Sequence, residues 1–195
     1  MFSEEDLHMK AYFLLCNGCE EVEALMTADI MKRAGIDTVM VSPYGTKDVI
    51  GSHGFNIVTD MQFGSSSKYD EFTYGDGDAV VLPGGMPGTK NLAASKAVAD
   101  MIKSYDHLGK LVCAICAAPS VLGENGLLAG HDATCFPGFE SALGGGRYVG
   151  GPAVISGNII TGKSVGCAIE FGLAIVSKLL GEAKAAQVEA SIYRA

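Results

Sequence analysis

The chain lacks what would place it among nucleic-acid-binding, membrane or secreted proteins. It has no basic excess: 14 Lys and Arg stand against 22 Asp and Glu, a formal net charge of −8, which repels phosphate backbones and anionic headgroups. No apolar run is long and uncharged enough to span a bilayer, since the most apolar segment, Val165 to Leu180, carries Glu170 and Lys178. Met1 to Met9 is acidic and lacks the basic start and apolar middle of a secretory leader. Six cysteines without such a leader read as reduced thiols of a cytoplasmic protein, not as a disulfide framework. No internal repeat, linker or cofactor signature stands out. Gly144-Gly145-Gly146-Arg147 is followed by no helix start and no P-loop lysine, and it reads as a mobile loop. These absences leave a small molecule or another protein as partner.

What is present suits one domain over 1–195 with a single core, with 1–8 as a disordered extension or an upstream start before Met9; 48% of the 195 residues are hydrophobic. Strand patterns run over Lys10 to Cys16, Asp37 to Ser42 and Asp78 to Leu82, and a short antiparallel excursion over Val49 to Asp60. The polar run Gly64 to Gly77 reads as a loop. Helix patterns cover Glu20 to Ala34, with Val22, Leu25, Met26 and Ile30 on the inner face, Ser95 to Leu108, Val165 to Leu180 and Glu182 to Ile192. Ser156-Gly157-Asn158 marks a hairpin. The opening βαβ pattern predicts a doubly wound sheet.

The chain is organised around Leu111 to Leu122, an apolar strand that passes through Ala114-Ile115-Cys116-Ala117-Ala118 into a helix opened by Pro119 and running to Leu128. Cys116 sits at the break, with small residues two places to either side, the pattern of a nucleophile elbow. Unpaired N–H groups at a helix start favour a thiolate. Sites in such sheets form beyond the carboxyl ends of the strands. Two other strand ends carry suitable chemistry there: Glu20, Glu21 and Glu23 after the first strand, and Gly84-Gly85 after Leu82. Of the acids, Glu23 is the candidate that turns toward the pocket, as a buried, protonated carboxyl, while Glu20 and Glu21 stay solvated. Gly84 and Gly85 offer either a tight turn or an oxyanion cradle.

Ala114-Ile115-Cys116-Ala117-Ala118-Pro119, Gly18-Cys19-Glu20-Glu21-Val22-Glu23 and Val81-Leu82-Pro83-Gly84-Gly85 together resemble the ThiJ/PfpI superfamily. The nearest branch holds the parkinsonism-associated deglycase and its bacterial relatives. The resemblance covers nearly the whole chain from Met9. It implies a flavodoxin-like three-layer α/β/α sandwich with a mainly parallel sheet, of the class I glutamine amidotransferase-like kind, and a homodimer. It also implies Cys116 as oxidisable nucleophile, Glu23 as its protonated neighbour, and the N–H groups of Gly85 and Ala117 as the anion cradle. The chain departs from the pattern in three places. Ala117 follows the cysteine where peptidase relatives have histidine, Phe136 precedes Pro137 where deglycase relatives often have histidine, and Lys163 stands where relatives carry arginine. His131 reads as a surface loop residue.

Two functions remain in view: a glyoxalase or deglycase acting on dicarbonyls such as methylglyoxal, and a redox sensor of oxidative stress in which Cys116 is oxidised. Cys19 is a possible second redox residue, able to pair with Cys116. Cys16-x-x-Cys19 with Cys113-x-x-Cys116 formally offers four thiolates for zinc, but the pairs are remote and Cys113 falls in a strand, so no metal is assigned.

Overall fold

Period-two alternation along the first strand decides the layering. In β1 (Lys10–Leu14), Tyr12 and Leu14 enter one hydrophobic cluster and Ala11 and Phe13 another, all four of them buried, as a strand covered on both faces requires. The computed structural model describes residues 8–63 and 70–193. After β1 come α1 (Glu21–Arg33), β2 (Asp37–Ser42), the antiparallel pair β3 (Asp48–Ile50) and β4 (Asn56–Val58), β5 (Met61–Gln62), α2 (Glu71–Tyr74) and β6 (Ala79–Leu82). They are followed by α3 (Gly88–Ala94), α4 (Lys96–His107), β7 (Leu111–Ile115), α5 (Pro119–Glu124), β8 (Asp132–Ala133) and β9 (Arg147–Tyr148). The hairpin β10 (Ala153–Ser156) and β11 (Ile159–Gly162) leads to α6 (Ala168–Leu180) and α7 (Glu182–Ser191).

Seven strands form one sheet in the order β10-β11-β7-β6-β1-β2-β5, parallel throughout except where β10 meets β11. On one face Val80, Leu82, Val112 and Ala114 pack with Met101, Ile102, Tyr105 and Val121 of α4 and α5. On the other, Val81, Cys113 and Ile115 pack with Ile30, Phe171, Ile175 and Val188 of α1, α6 and α7. The result is a flavodoxin-like three-layer sandwich. The chain lays β2 on one side of β1 and later returns to lay β6 on the other, which opens a crevice beyond the carboxyl ends of β1 and β6. No helix among the described residues is long and apolar enough to cross a membrane.

Several expectations are corrected. The inner face of α1 is Ala24, Thr27, Ala28, Ile30 and Met31, whereas Val22 and Leu25 are 48% exposed and Met26 is 36% exposed. α1 packs closely on α6, where a Cβ added to Gly172 would lie 2.9 Å from Ile30 Cβ; the bare backbone of Gly172 makes room for Ile30, so the face carrying Ile30 and Met31 turns inward and Val22, Leu25 and Met26 turn out. The glycine-rich run before Arg147 is tied down: Arg147 Nε and Nη2 donate to the Asp132 carboxylate at 2.6 and 2.7 Å, and β8 pairs with β9. α5 stops at Glu124, ahead of Leu128, because Asn125 caps it and Gly126 turns the chain at φ 76°. The proposed extension lies almost wholly outside the described residues, as do residues 64–69 of the expected polar loop; α2 follows at that loop's end.

A methyl group at Gly172 would force α1 and α6 apart. Gly172→Ala is therefore expected to destabilise the fold by about 1–3 kcal/mol, read as a lowered urea midpoint; an unchanged midpoint would show that this helix contact relaxes freely.

Candidate active site

Three strand ends meet in the crevice. The loop after β1 and the loop after β6 touch backbone to backbone: Glu20 N–H donates to Gly84 O at 2.9 Å, and Gly88 N–H to Gly18 O at 3.0 Å. The loop after β7 carries Cys116, which adopts φ 66°, a left-handed conformation costly for a residue with a Cβ. Its N–H donates to Gly162 O at 2.9 Å and its carbonyl accepts from Phe136 N–H at 2.8 Å, so two neighbouring segments hold the elbow. The turn aims the thiol at Glu23, which extends from the first turn of α1 and is 1% exposed.

Glu23 Oε2 accepts the Gly84 N–H at 2.8 Å, while Oε1 finds no nitrogen or oxygen donor. The remaining partner of the carboxyl is the Cys116 thiol. Burial pushes Glu23 up to about 7, outweighing the hydrogen bonds from Cys116 and Gly84. Burial, followed by the charge of an ionised Glu23, pushes the thiol up to about 12, against the N–H groups of Ala117 and Gly85. The N–H groups at the start of α5, a helix of only six residues, do not offset burial of the thiol, and its charged neighbour is Glu23. Below about pH 7 it holds its proton, so it presents a donor to sulfur instead of a negative charge, and its contribution to the thiol changes sign. Gly85 (φ 85°), Ala117 and the Glu23 hydroxyl then converge on the sulfur.

A cavity of about 200 Å³ opens over the thiol, lined by Gly85, Met86, Cys116, Ala117, Phe136 and Phe139. Cys116, Glu23, Gly84, Gly85 and Ala117 are thus brought together at this point. Cys19 is not available beside them: it is fully buried with Leu15, Ala24 and Val49, and burial first of all pushes its thiol up to about 12. What separates Cys19 from Cys116, whose thiol is raised as far, is access: Cys116 is partly exposed and Cys19 is not.

Glu21, expected in solvent, is 3% exposed. It accepts the backbone N–H of His53 at 2.7 Å and lies 2.9 Å from His53 Nδ1. Although burial pushes its carboxyl up, these bonds and the N–H groups of Glu21 and Phe55 hold it down at about 2. His53 is raised in turn by its bond to Glu21 and by the charges of Glu20 and Glu21. Among the described residues, Glu20, Glu21 and His53 are the one group of three or more metal-ligating side chains with ligand atoms within 4.8 Å, and no cysteine belongs to it. His131 is half-buried, with Nδ1 3.0 Å from Ser156 O. Sequence reasoning missed Met86 and Phe139, whose only signal is their place beside Gly85 and Phe136 in neighbouring loops.

The DJ-1/PfpI family model matches residues 9–178. The chain is 35% identical over 186 residues to Parkinson disease protein 7 homolog of Danio rerio, covering 94% of this chain and 96% of that protein. It is 34% identical over 167 residues to the glutathione-independent glyoxalase DJR-1.2 of Caenorhabditis elegans, covering 85% of each. Among solved structures, a DJ-1 superfamily protein of Salmonella typhimurium superposes with TM-score 0.88 at 37% identity, covering 96% of this chain and 99% of that one. Oxidised Toxoplasma gondii DJ-1 superposes with TM-score 0.87 at 31% identity, over 96% and 99%.

The buried Glu23 carboxyl links stability to pH. Below its ordinary value of 4.5 the group is protonated in folded and unfolded chains alike; between 4.5 and about 7 only the folded chain keeps the proton. Its contribution is therefore favourable at low pH and is lost as pH rises through that window, by roughly 3 kcal/mol at about 1.36 kcal/mol per unit. Glu23→Gln has no such proton to release. It is expected to gain about that much over wild type at pH 8 and nothing at pH 4 in urea unfolding; a difference independent of pH would return Glu23 to an ordinary carboxyl.

Proposed function

The chain belongs to the DJ-1/PfpI family, and from that membership and the surroundings of Cys116 we propose that it is a cysteine-dependent enzyme acting on reactive dicarbonyls or their adducts, of glutathione-independent glyoxalase or deglycase type. The observation that carries this reading is one cavity in which a strained, accessible thiol faces a buried carboxyl with a pKa near 7 and two backbone N–H groups. For methylglyoxal, the sulfur attacks the aldehyde carbon and the developing oxyanion is held by Gly85 and Ala117 N–H. Glu23 delivers its proton to that oxygen, giving a hemithioacetal. As a carboxylate, Glu23 then takes the former aldehyde hydrogen as a proton and returns it to the neighbouring carbonyl carbon while the hydroxyl proton passes from the first oxygen to the second, so the second carbon becomes the alcohol and the first a thioester. Water cleaves the carbon–sulfur bond and releases lactate and the free thiol. Phe136 has no group to share this work, so Glu23 carries the proton traffic alone. The name of the Caenorhabditis elegans relative is consistent with this chemistry.

A second reading, oxidation sensing, is favoured by access. Cys116 and Cys167 are partly exposed while Cys16, Cys19, Cys113 and Cys135 are buried, and of the two it is Cys116 that has backbone N–H groups beside its sulfur to cradle a sulfinate. One experiment separates the two. Wild type incubated with methylglyoxal without glutathione is expected to form lactate, and Cys116→Ala is expected to lose at least about a thousandfold in rate, within the range of covalent and oxyanion effects. Equal turnover by the variant would sink the enzymatic role of Cys116. No turnover by either, with mild peroxide adding oxygen first at Cys116 by peptide mass analysis, would leave the sensor.

We further propose a homodimer packed on the outer face of α1 and the β3/β4 hairpin. Val22, Leu25 and Met26 there adjoin Phe55, 68% exposed, and Ile57 around a cavity of about 520 Å³, an apolar patch of the kind that marks an interface. Wild type is expected to sediment as a dimer and Leu25→Glu as a folded monomer; a monomeric wild type at micromolar concentration would refute the interface.

A further inference from the structure

The cavity over Cys116 has an uneven character. Its polar groups all lie on the floor, where Cys116 Sγ meets the N–H groups of Gly85 and Ala117. The side chains of Met86, Phe136 and Phe139 supply the rest of the lining, and none of the lining residues carries a charge. Phe136 is 43% exposed and Met86 42%, which leaves two large apolar side chains beside a reactive thiol with little to cover them. The rings are placed by backbone. Phe136 N–H is bonded to the Cys116 carbonyl, and the turn through Pro137 and Gly138 (φ 96°) returns Phe139 N–H to Phe136 O at 3.0 Å. Phe136 and Phe139 therefore belong to the segment that braces the elbow.

We propose that this lining selects neutral α-oxoaldehydes bearing an aromatic or branched apolar substituent, with phenylglyoxal as the probe, over methylglyoxal, and that it rejects anionic α-oxoaldehydes such as 4-carboxyphenylglyoxal. The inference rests on the dicarbonyl reading above and specifies its substrate. The polar floor takes the aldehyde end and the apolar wall takes the substituent, which a methyl group does not fill. A carboxylate on the substrate would lose its water against Phe136 and Met86 with no cation in the lining to replace it. At about 200 Å³ the cavity is below the roughly 300–1,000 Å³ of sites for drug-sized ligands, which suits a single-ring substrate. The reaction with phenylglyoxal is balanced without an outside oxidant. The sulfur adds to the aldehyde carbon and the oxygen takes the Glu23 proton. The hydrogen on that carbon then moves to the ketone carbon, so one carbon is oxidised to thioester as its neighbour is reduced to alcohol. Water breaks the carbon–sulfur bond to give mandelate and the thiol.

In steady-state assays of wild type, kcat/KM for phenylglyoxal is expected to exceed that for methylglyoxal at least about tenfold, the lower end of what one extra methylene in an apolar pocket provides. 4-Carboxyphenylglyoxal, which keeps the reacting α-oxoaldehyde and adds only the charge, is expected to be turned over least. Phe136→Ala is expected to lower kcat/KM for phenylglyoxal by about tenfold or more through KM, with a smaller change for methylglyoxal. Methylglyoxal used as well as phenylglyoxal would overturn the inference while leaving the dicarbonyl function standing; turnover of no oxoaldehyde would overturn the function instead. A readout independent of turnover, and of whether the variant folds, is alkylation of Cys116 in wild type. Relative to a free thiol in solution, iodoacetamide is expected to be favoured over iodoacetate by about tenfold, and an unchanged ratio would refute a lining that excludes anions.

Discussion

The architecture of the crevice depends on a missing Cβ at Gly84. A Cβ built there would lie 2.6 Å from Cys116 Cβ and 2.8 Å from Glu23 Oε2, closer than non-bonded carbon and oxygen tolerate. Only a bare backbone lets the end of β6 pass between the elbow and the first turn of α1. Its carbonyl then receives Glu20 N–H while its N–H reaches Glu23. Both glycines need a bare backbone, since a Cβ at Gly85 would in turn lie 2.3 Å from Glu20 N. Gly84 provides space and anchors the carboxyl. Gly85, at positive φ, turns its N–H toward sulfur.

Around that point the fold holds two unfavourable features in place. Cys116 in a left-handed conformation costs of order 1–3 kcal/mol, and a carboxyl buried with one backbone donor costs more as pH rises. Each is stabilised from outside the crevice. The elbow is clamped by Gly162 on β11 and by Phe136, and α1 is held by its close contact with α6 at Gly172. A sheet covered on both faces resists relaxation of either strain, so the thiol and carboxyl stay together without a bond between their chain segments.

Much of this was legible from the chain alone, and what was not has identifiable causes. Strong patterns carried through: Val98, Met101, Ile102 and Tyr105 are all fully buried on α4, and the hairpin at Ser156-Gly157-Asn158 forms β10 and β11 as expected. α1 is the instructive failure. Ile30 and Met31 face inward while Val22, Leu25 and Met26 face outward, because Gly172 of α6 opens the space that Ile30 fills, a feature written in α6 and not in α1 itself. Glu23 lies against the thiol, 1% exposed although Val22 beside it is 48% exposed, so the exposure of one residue in a first turn does not foretell that of the next. Glu21 was misplaced because its partner, His53, comes from the β3/β4 hairpin, and pairing across loops leaves no local signal. α3 begins at Gly88 after Pro87 with no side-chain cap, so nothing marked its start.

These positions give α1 three surfaces with different tasks. Its first turn delivers Glu23 to the thiol and Glu21 to the hairpin, its inner face meets α6 where Gly172 makes room for Ile30, and its outer face leaves Val22, Leu25 and Met26 exposed. The same hairpin that contributes Phe55 and Ile57 to the outer apolar cavity holds Glu21 through His53. A second copy covering that cavity would therefore press on both supports of the α1 start, one turn or less from Glu23. The outer apolar face and the carboxyl beside Cys116 thus belong to one helix turn, Val22 on its exposed side and Glu23 on its buried side.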